Sequence, residues 1–198
     1  MELVLATKNR KKIEEIKRIT SDLDIKILTP EDFKNFPEVI EDGRTFKENA
    51  AKKSLAVAKF TNKPSLSDDS GLEVYALGGA PGVFSARFAG EGAGDAENVK
   101  KLLEMMKDID NGDRKARFVC CIALTTCDFK TYFFEGTVEG SIIREPKGVN
   151  GFGYDPVFIP EGEYKTFAEM SDQEKDALSH RGRALFKLRE FLKLRNII

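Results

Sequence analysis

The chain has 198 residues, of which 41% are hydrophobic, and this is enough to bury a core in one large domain or two small lobes. Its 32 basic and 33 acidic residues give a formal net charge of -1, so no global field recruits nucleic acid or a membrane surface. We therefore expect a soluble globular protein with no nucleic-acid or membrane partner, in which any anion site is a local cluster.

The first residues and the cysteines favour a cytoplasmic protein. The apolar stretch at residues 3–6 is followed by charge at Lys8, so it is too short for a signal peptide, and no later run approaches membrane-spanning length. Cys120, Cys121 and Cys127 are odd in number and lack Cys-x-x-Cys spacing. We predict that they are buried free thiols.

Strand and helix patterns alternate in the first third of the chain. We predict a strand at residues 3–6, a helix at 10–19, a strand at 25–28 and a helix at 46–60 that Thr45 caps. This alternation indicates an α/β fold.

A β-rich middle and a helical end follow the glycine-rich segment 78–94. Asp95 is placed to cap a helix that extends through Met106. Two long antiparallel strands are predicted at residues 116–126 and 131–143, with a hairpin turn at 128–130, before a final helix at 182–194.

The stretch Ser67-Asp68-Asp69-Ser70-Gly71 places adjacent carboxylates at the end of an apolar strand. Consecutive strand side chains point to opposite faces, so we expect one aspartate to face a site and the other to support it. Mg²⁺ needs only one or two protein carboxylates when substrate phosphates complete its coordination. A plain polar exit from the strand is the alternative, because Asp, Ser and Gly are ordinary turn residues.

The loop after the first strand is rich in groups that suit phosphate: Thr7, Lys8, Asn9, Arg10, Lys11 and Lys12. A helix that begins here offers free backbone N–H groups and positive potential to an anion. Cations at a helix N-terminus oppose the helix dipole, so this cluster is unfavourable unless an anion binds. A solvated basic first turn is the alternative, and neither a P-loop nor a dinucleotide fingerprint follows the strand.

Two residues near the second helix are further candidates for binding metal or phosphate. Glu41 lies in the preceding loop and can serve as a metal ligand, whereas Glu48 suits the first helical turn. Lys53 can reach a phosphate, with an ordinary surface lysine as the alternative.

Two late segments suit recognition of a nucleotide base. Three glycines surround Phe152 in the segment 148–156, so a base can stack on the ring, or the ring can lie in the core. Residues 175–183 supply donors from Lys175, His180 and Arg181 just before the last helix.

Together these motifs resemble the inosine triphosphate pyrophosphatase family, most closely its bacterial noncanonical purine nucleotide pyrophosphatases. The resemblance rests on Thr7-Lys8-Asn9, Ser67-Asp68-Asp69-Ser70-Gly71, Gly78-Gly79-Ala80-Pro81-Gly82, Gly151-Phe152-Gly153-Tyr154-Asp155-Pro156 and Ser179-His180-Arg181-Gly182, in that order over nearly the whole chain. It implies Mg²⁺-dependent hydrolysis of ITP, dITP and XTP to the monophosphate and pyrophosphate. It also implies a homodimer and a single domain over residues 1–198. The expected fold is a long central mixed sheet flanked by helices, with two lobes and the active site in the cleft between them.

The resemblance also implies a role for each matching residue. Asp69 falls on the family's general base and metal-binding aspartate, and Glu41 falls on its metal-binding glutamate. The implied phosphate and substrate contacts are Thr7, Lys8, Asn9, Arg10, Lys11, Lys12, Lys53 and Ser70. The implied base-recognition residues are Phe152, Gly153, Tyr154, Asp155, Lys175, His180 and Arg181.

Two other functional classes remain open at this point. A phosphatase of another specificity would use the same carboxylates and lysines but release different products. A nucleotide- or nucleic-acid-binding module without catalysis is disfavoured, because the neutral net charge does not suit an extended phosphate track.

Overall fold

A six-stranded mixed sheet organises the computed structural model, which describes residues 2–194. The strands are β1 (Glu2–Leu5), β2 (Lys26–Leu28), β3 (Ser65–Val74), β4 (Lys115–Thr125), β5 (Thr131–Ile142) and β6 (Phe158–Pro160). Their order in the sheet is β2-β1-β3-β4-β5-β6, with β1 parallel to β2 and β3, and with β6 antiparallel to β5. The predicted α/β class with a mixed sheet is confirmed.

The predicted helices occur in the predicted order, with two differences at their first residues, and one further short helix before the last was not predicted. They are α1 (Arg10–Ile19), α2 (Phe46–Thr61), α3 (Asp95–Met105), α4 (Asp172–Leu178) and α5 (His180–Leu194). The predicted capping role of Asp95 is wrong, because Gly94 is the N-cap and its N–H donates to Glu97 at 2.8 Å. The last helix begins at His180, two residues before the predicted start.

The chain divides into two units, and β3, β4 and β5 each contribute residues to both. Unit 1 takes the chain up to Asp69, residues 120–136 and the chain from Arg181 onward, and unit 2 takes residues 70–119 and 137–180. The core of unit 1 includes Leu3, Leu5, Ile16, Leu66, Ile122, Leu124, Leu185 and Leu188. The core of unit 2 includes Leu72, Val74, Leu102, Phe118, Val138, Phe158 and Phe167. Each unit therefore has its own packed apolar interior.

The cysteines are free, but they do not share one environment. Cys120 and Cys121 are buried in β4, as predicted, and burial raises the pKa of the Cys121 thiol to about 12. The prediction of a buried thiol is wrong for Cys127, which is exposed just after β4 ends. It lies in the hairpin connection between β4 and β5, where its thiol donates to the Asn62 carbonyl at 3.9 Å.

The helices described here are short or rich in charge. None of those within residues 2–194 has both the length and the apolar character that a membrane span requires.

Candidate active site

The pairing of β1 with β3 brings the start of α1 beside the two aspartates. Leu5 pairs in parallel with Leu66, so β3 continues past the end of β1 through Asp68 and Asp69. The chain leaving β1 enters α1 at this point. Lys12 Nζ consequently lies 3.0 Å from Asp68 Oδ2.

Asp68 is the centre of a buried ion network in unit 1. The Nε and Nη2 groups of Arg181 donate to Asp68 Oδ2 at 3.2 and 3.0 Å, and its Nη1 donates to Glu15. Burial alone would raise the pKa of Asp68, but the cations of Lys12, Arg181 and Lys53 hold it well below its usual value. The lowered pKa keeps Asp68 ionised at neutral pH, where it pairs with Arg181 and Lys12.

Asp69 has different neighbours. Lys53 Nζ lies 3.6 Å from Asp69 Oδ1 and 2.9 Å from Glu41 Oε2, while Asn49 Nδ2 donates to Asp69 Oδ2 at 3.1 Å. Burial, with a contribution from the Glu41 charge, raises the pKa of Asp69 to about 6 against the opposing cations of Lys53 and Lys12. A carboxylate whose pKa lies close to neutrality is suited to accepting a proton. The two aspartates thus have different partners, and the assignment of one to a site and the other to its support stays a prediction.

Lys53 is held between two carboxylates and keeps its charge. Burial would lower the pKa of Lys53, but Asp69, Asp68 and Glu41 together raise it above its ordinary value. The ammonium group is thus a fixed positive charge between Asp69 and Glu41. Lys53 is not an ordinary surface lysine, because only 11% of its side chain is exposed.

Helix α2 supplies this arrangement because polar residues occupy its buried face. Thr45 caps the helix by accepting from the Glu48 N–H at 3.1 Å, as predicted, and Glu48 lies in the first turn. Asn49 and Lys53 are one turn apart on a face that also buries Val57. The sequence interpretation did not include Asn49. The sequence feature that marks Asn49 is its spacing from Lys53, since the two polar residues lie at i and i+4 on a helical face that also carries Val57.

The segment predicted to hold phosphates forms the N-terminus of α1. Asn9 is the N-cap and its side chain accepts from the Lys12 N–H at 3.2 Å, while Thr7 Oγ1 accepts from the Asn9 N–H at 3.2 Å. No acidic residue lies in the first turn of α1. The positive end of the helix is consequently not neutralised from within.

The cations of this segment point to different partners. Lys8 pairs with Glu38 at 2.8 Å and Arg10 lies 3.7 Å from Glu31, both on the exposed surface. Lys11 is exposed, whereas the side chain of Lys12 is 15% exposed and turned toward Asp68. Of these lysines, Lys12 is therefore the one directed toward the aspartates, and the phosphate role of the segment stays a prediction.

In unit 2, the glycine-rich loop around Phe152 contacts a buried ion pair between Lys175 and Asp155. Lys175 Nζ lies 2.7 Å from Asp155 Oδ2 and 4.7 Å from the centre of the Phe152 ring. The Phe152 N–H also donates to Asp155 Oδ2, at 2.8 Å. Gly151 has a φ of +71°, and a Cβ there would lie 2.1 Å from the same oxygen, so glycine is required. Phe152 is half-buried, with a cation held against its ring.

The other residues predicted to recognise a base have well-defined contacts. The Tyr154 hydroxyl donates to Ser85 O at 2.8 Å, and burial raises the pKa of Tyr154. His180 stacks on Phe118 with ring centres 4.7 Å apart and planes 8° apart. The N–H of Gly153 donates to Asp95 at 2.8 Å, while Ser70 is half-buried in β3. The resemblance implied that Arg181 recognises the base, but its guanidinium donates to Asp68 and Glu15 in unit 1.

The carboxylates at Lys53 fit a Mg²⁺ ion that shares its coordination with substrate. Among residues 2–194, no three His, Cys, Asp or Glu side chains form a preformed metal cage. Mg²⁺ is usually held by one or two carboxylates together with substrate phosphates, and Glu41 and Asp69 supply such a pair of hard oxygen ligands. Both lie within 3.6 Å of the same ammonium nitrogen, so they converge on one point of unit 1.

A sequence model of the Ham1 family matches residues 3–191, which is nearly the whole chain. The chain belongs to the Ham1 family. The resemblance inferred from its motifs is thereby confirmed.

Individual relatives match over nearly their full length. The dITP/XTP pyrophosphatase of Desulforamulus reducens is 49% identical over 194 residues, covering 97% of this chain and 96% of the relative. The dITP/XTP pyrophosphatase of Geobacter sulfurreducens is 48% identical over 190 residues, covering 96% of each. The solved structure of a HAM1 protein from Coxiella burnetii has a TM-score of 0.89 and 46% identity, and covers 98% of each chain. The six-stranded mixed sheet with its helices is therefore the Ham1 fold.

Proposed function

We propose that this Ham1 protein hydrolyses noncanonical purine nucleoside triphosphates, namely ITP, dITP and XTP, to the nucleoside monophosphate and pyrophosphate. Family membership and the names of the relatives place the chain among nucleoside triphosphate pyrophosphatases, which are hydrolases of phosphoric anhydrides. The observation that carries the chemical proposal is the group Asp69, Lys53 and Glu41 in unit 1. It combines a buried carboxylate of raised pKa with a fixed cation and a second acid.

Asp69 is assigned the role of general base. Its carboxylate accepts a proton from the water molecule that attacks the α-phosphorus. A pKa of about 6 leaves this group largely ionised at neutral pH and still basic enough to take the proton. Asn49 fixes one oxygen of the carboxylate, so the other oxygen, next to Lys53, is the one assigned to the water.

Glu41 and Asp69 are assigned as the protein ligands of Mg²⁺. When bound there, Mg²⁺ would supply positive charge that offsets the charge of the triphosphate and of the leaving pyrophosphate. Lys53 adds a cation from the protein itself, held in place by its two carboxylate partners. The N-terminus of α1, with Thr7 and the backbone N–H groups near it, is assigned to the phosphate chain.

Unit 2 is assigned to the base. Hypoxanthine and xanthine carry an acceptor at position 6 where adenine carries a donor, so a donor such as Lys175 or His180 favours the first two. A site built around such a donor can reject the wrong base by large factors, because its buried group is then left unpaired. Lys175 is already held by Asp155 and by the Phe152 ring, so little freedom is lost when it binds. Phe152, in the same loop, is assigned to stacking.

Substrate use and product identity test the proposal directly. The enzyme is incubated with ITP, dITP, XTP, ATP or GTP and Mg²⁺, and pyrophosphate is resolved from orthophosphate. We expect pyrophosphate from the first three substrates and little turnover of ATP. Guanine also carries an acceptor at position 6, so low turnover of GTP would have to come from exclusion of its 2-amino group. Orthophosphate as the product would indicate a phosphatase of another kind. Binding that persists in EDTA without any turnover would indicate a binding module.

Replacing Phe152 by leucine is expected to weaken substrate binding. Stacking of an aromatic ring on a base is worth roughly 1–3 kcal/mol, so the KM for ITP should rise by about 5- to 150-fold with little change in kcat. Steady-state kinetics with ITP measure this. Phe186→Leu is the matched control, because Phe186 is 59% exposed on α5 and should leave both constants unchanged. An unaltered KM in Phe152→Leu would remove Phe152 from the binding site.

Assembly as a homodimer and a cytoplasmic location are further proposals, which rest on the family resemblance. Sedimentation at several protein concentrations tests the first, and fractionation of the source cells tests the second.

A further inference from the structure

Asn49 uses both ends of its side-chain amide within unit 1. Its Nδ2 donates to Asp69 Oδ2 at 3.1 Å, and its Oδ1 accepts from the Gly43 N–H at 2.8 Å. The side chain is 1% exposed, so neither hydrogen bond can be replaced by bulk water. One buried amide thus joins the general base to the loop that carries Glu41 and Asp42.

The fit around this amide is close. A Cβ at Gly43 would lie 2.5 Å from Asn49 Oδ1 and 2.9 Å from the Glu48 Cβ, so the loop can approach the helix only because residue 43 is glycine. A contact of this kind fixes the position of the loop relative to α2 as well as the orientation of the amide. The amide therefore cannot turn without losing its bond to the Gly43 N–H.

Lys53 makes the corresponding connection one helical turn later. Asn49 joins Gly43 to Asp69 Oδ2, and Lys53 joins Glu41 to Asp69 Oδ1. Since residues at i and i+4 lie on the same helical face, α2 holds the loop and the strand together at two points. The two oxygens of Asp69 are thereby given different environments, one neutral and one cationic.

We propose that Asn49 is a positioning residue for the hydrolysis, which holds Asp69 Oδ2 so that Oδ1 remains directed toward Lys53 and the Glu41 loop. This inference rests on the proposed function, because it concerns the same general base. Asn49 does not contact the substrate. It acts through the orientation of Asp69 and through the distance between Asp69 and the loop.

The test uses Asn49→Asp, which preserves the size of the side chain and an oxygen that accepts from the Gly43 N–H. The change removes the donor to Asp69 and places a second carboxylate against it. Because misplacement of a catalytic group by about 1 Å can cost about 10²-fold in rate, we expect kcat per folded molecule to fall by that order. The KM for ITP should change little, since Asn49 contributes no substrate contact. Steady-state kinetics and the folded fraction are measured on the same sample.

Asn98→Asp is the matched control. Asn98 is also buried, accepts from the Ala89 N–H at 2.8 Å and donates to the Ala86 carbonyl at 3.2 Å. The same substitution there should lower stability but leave kcat per folded molecule unchanged. If Asn49→Asp behaves like this control, Asn49 has only a structural role and the inference is wrong.

A second measurement needs no substrate. The swapped double variant Asn49→Asp/Asp69→Asn restores a donor and an acceptor across the same gap, so it should unfold at a higher denaturant concentration than Asn49→Asp alone. Additive effects of the two changes on the denaturation midpoint would show that the pair does not interact. If wild type releases no pyrophosphate, the proposed function fails. If wild type is active and Asn49→Asp retains its kcat, the positioning role fails by itself.

Discussion

Replacing Asp69 by asparagine is expected to abolish hydrolysis and, at the same time, to stabilise the folded protein at neutral pH. A positioned general base contributes about 10²- to 10⁴-fold in rate, so the loss in kcat should be at least of this order. The substitution also removes a proposed metal ligand. Hydrolysis of ITP by equal amounts of folded wild type and variant measures the first effect.

The stabilisation follows from the raised pKa of Asp69. Its ordinary value is 3.8 and burial brings it to about 6, so the folded state binds the proton more tightly than the unfolded state. The free energy of unfolding therefore falls as the pH rises from about 3.8 to about 6, and above that range the full cost of burying the charged carboxylate is present. At about 1.4 kcal/mol for each pKa unit, the cost at pH 7.5 is at most about 3 kcal/mol.

Chemical denaturation in EDTA measures the free energy of unfolding of wild type and of Asp69→Asn. Asp69→Asn should be more stable than wild type at pH 7.5, and the gain should shrink as the pH falls toward 4. A variant that is less stable than wild type at pH 7.5 would contradict the assignment of Asp69 as a buried base whose pKa is raised by burial.

Replacing the neighbouring Asp68 by asparagine is expected to have the opposite effect on stability. Asp68 is fully buried and is the shared partner of Arg181 and Lys12. Removing one member of a buried ion network leaves a buried charge without compensation, which costs about 3–5 kcal/mol. Denaturation in EDTA at pH 7.5 should show a loss of this size.

The pH dependence of this loss has a definite sign. The pKa of Asp68 is lowered in the folded state, so its contribution to stability is complete at neutral pH and is lost progressively as the pH falls below its ordinary value of 3.8. The exposed Asp42→Asn is the matched control, since Asp42 pairs with Lys52 at the surface and such pairs are worth about 0–1 kcal/mol. If Asp68→Asn cost no more than Asp42→Asn, the structural role of Asp68 would be wrong.

The sequence predicted the secondary structure well where local signals agree. Helix α1 matches its predicted bounds because an N-capping Asn9 precedes a clear apolar stripe. The boundary of α5 was missed although serine is common at helix starts, because α4 ends at Leu178 and leaves Ser179 alone as the connection to α5. The capping residue of α3 was also misplaced by one position, since both Gly94 and Asp95 are common at helix starts.

The site was predictable only to the extent that its chemistry is local. Strand alternation predicted different surroundings for Asp68 and Asp69, because neighbouring strand residues face opposite sides. The partners of these groups are distant in sequence. Glu15 binds Arg181 across 166 positions and Asn49 binds Asp69 across 20, and neither residue type by itself indicates such a contact. Their roles depend on packing that only the folded chain defines.

Hydrolysis of ITP in ¹⁸O-labelled water tests most directly the central claim, which is that water attacks the α-phosphorus and pyrophosphate is the leaving group. Mass spectrometry then locates the label in the two products. We predict a single ¹⁸O atom in the inosine monophosphate and none in the pyrophosphate. Label in the pyrophosphate would place the attack on the β-phosphorus and contradict the assigned mechanism.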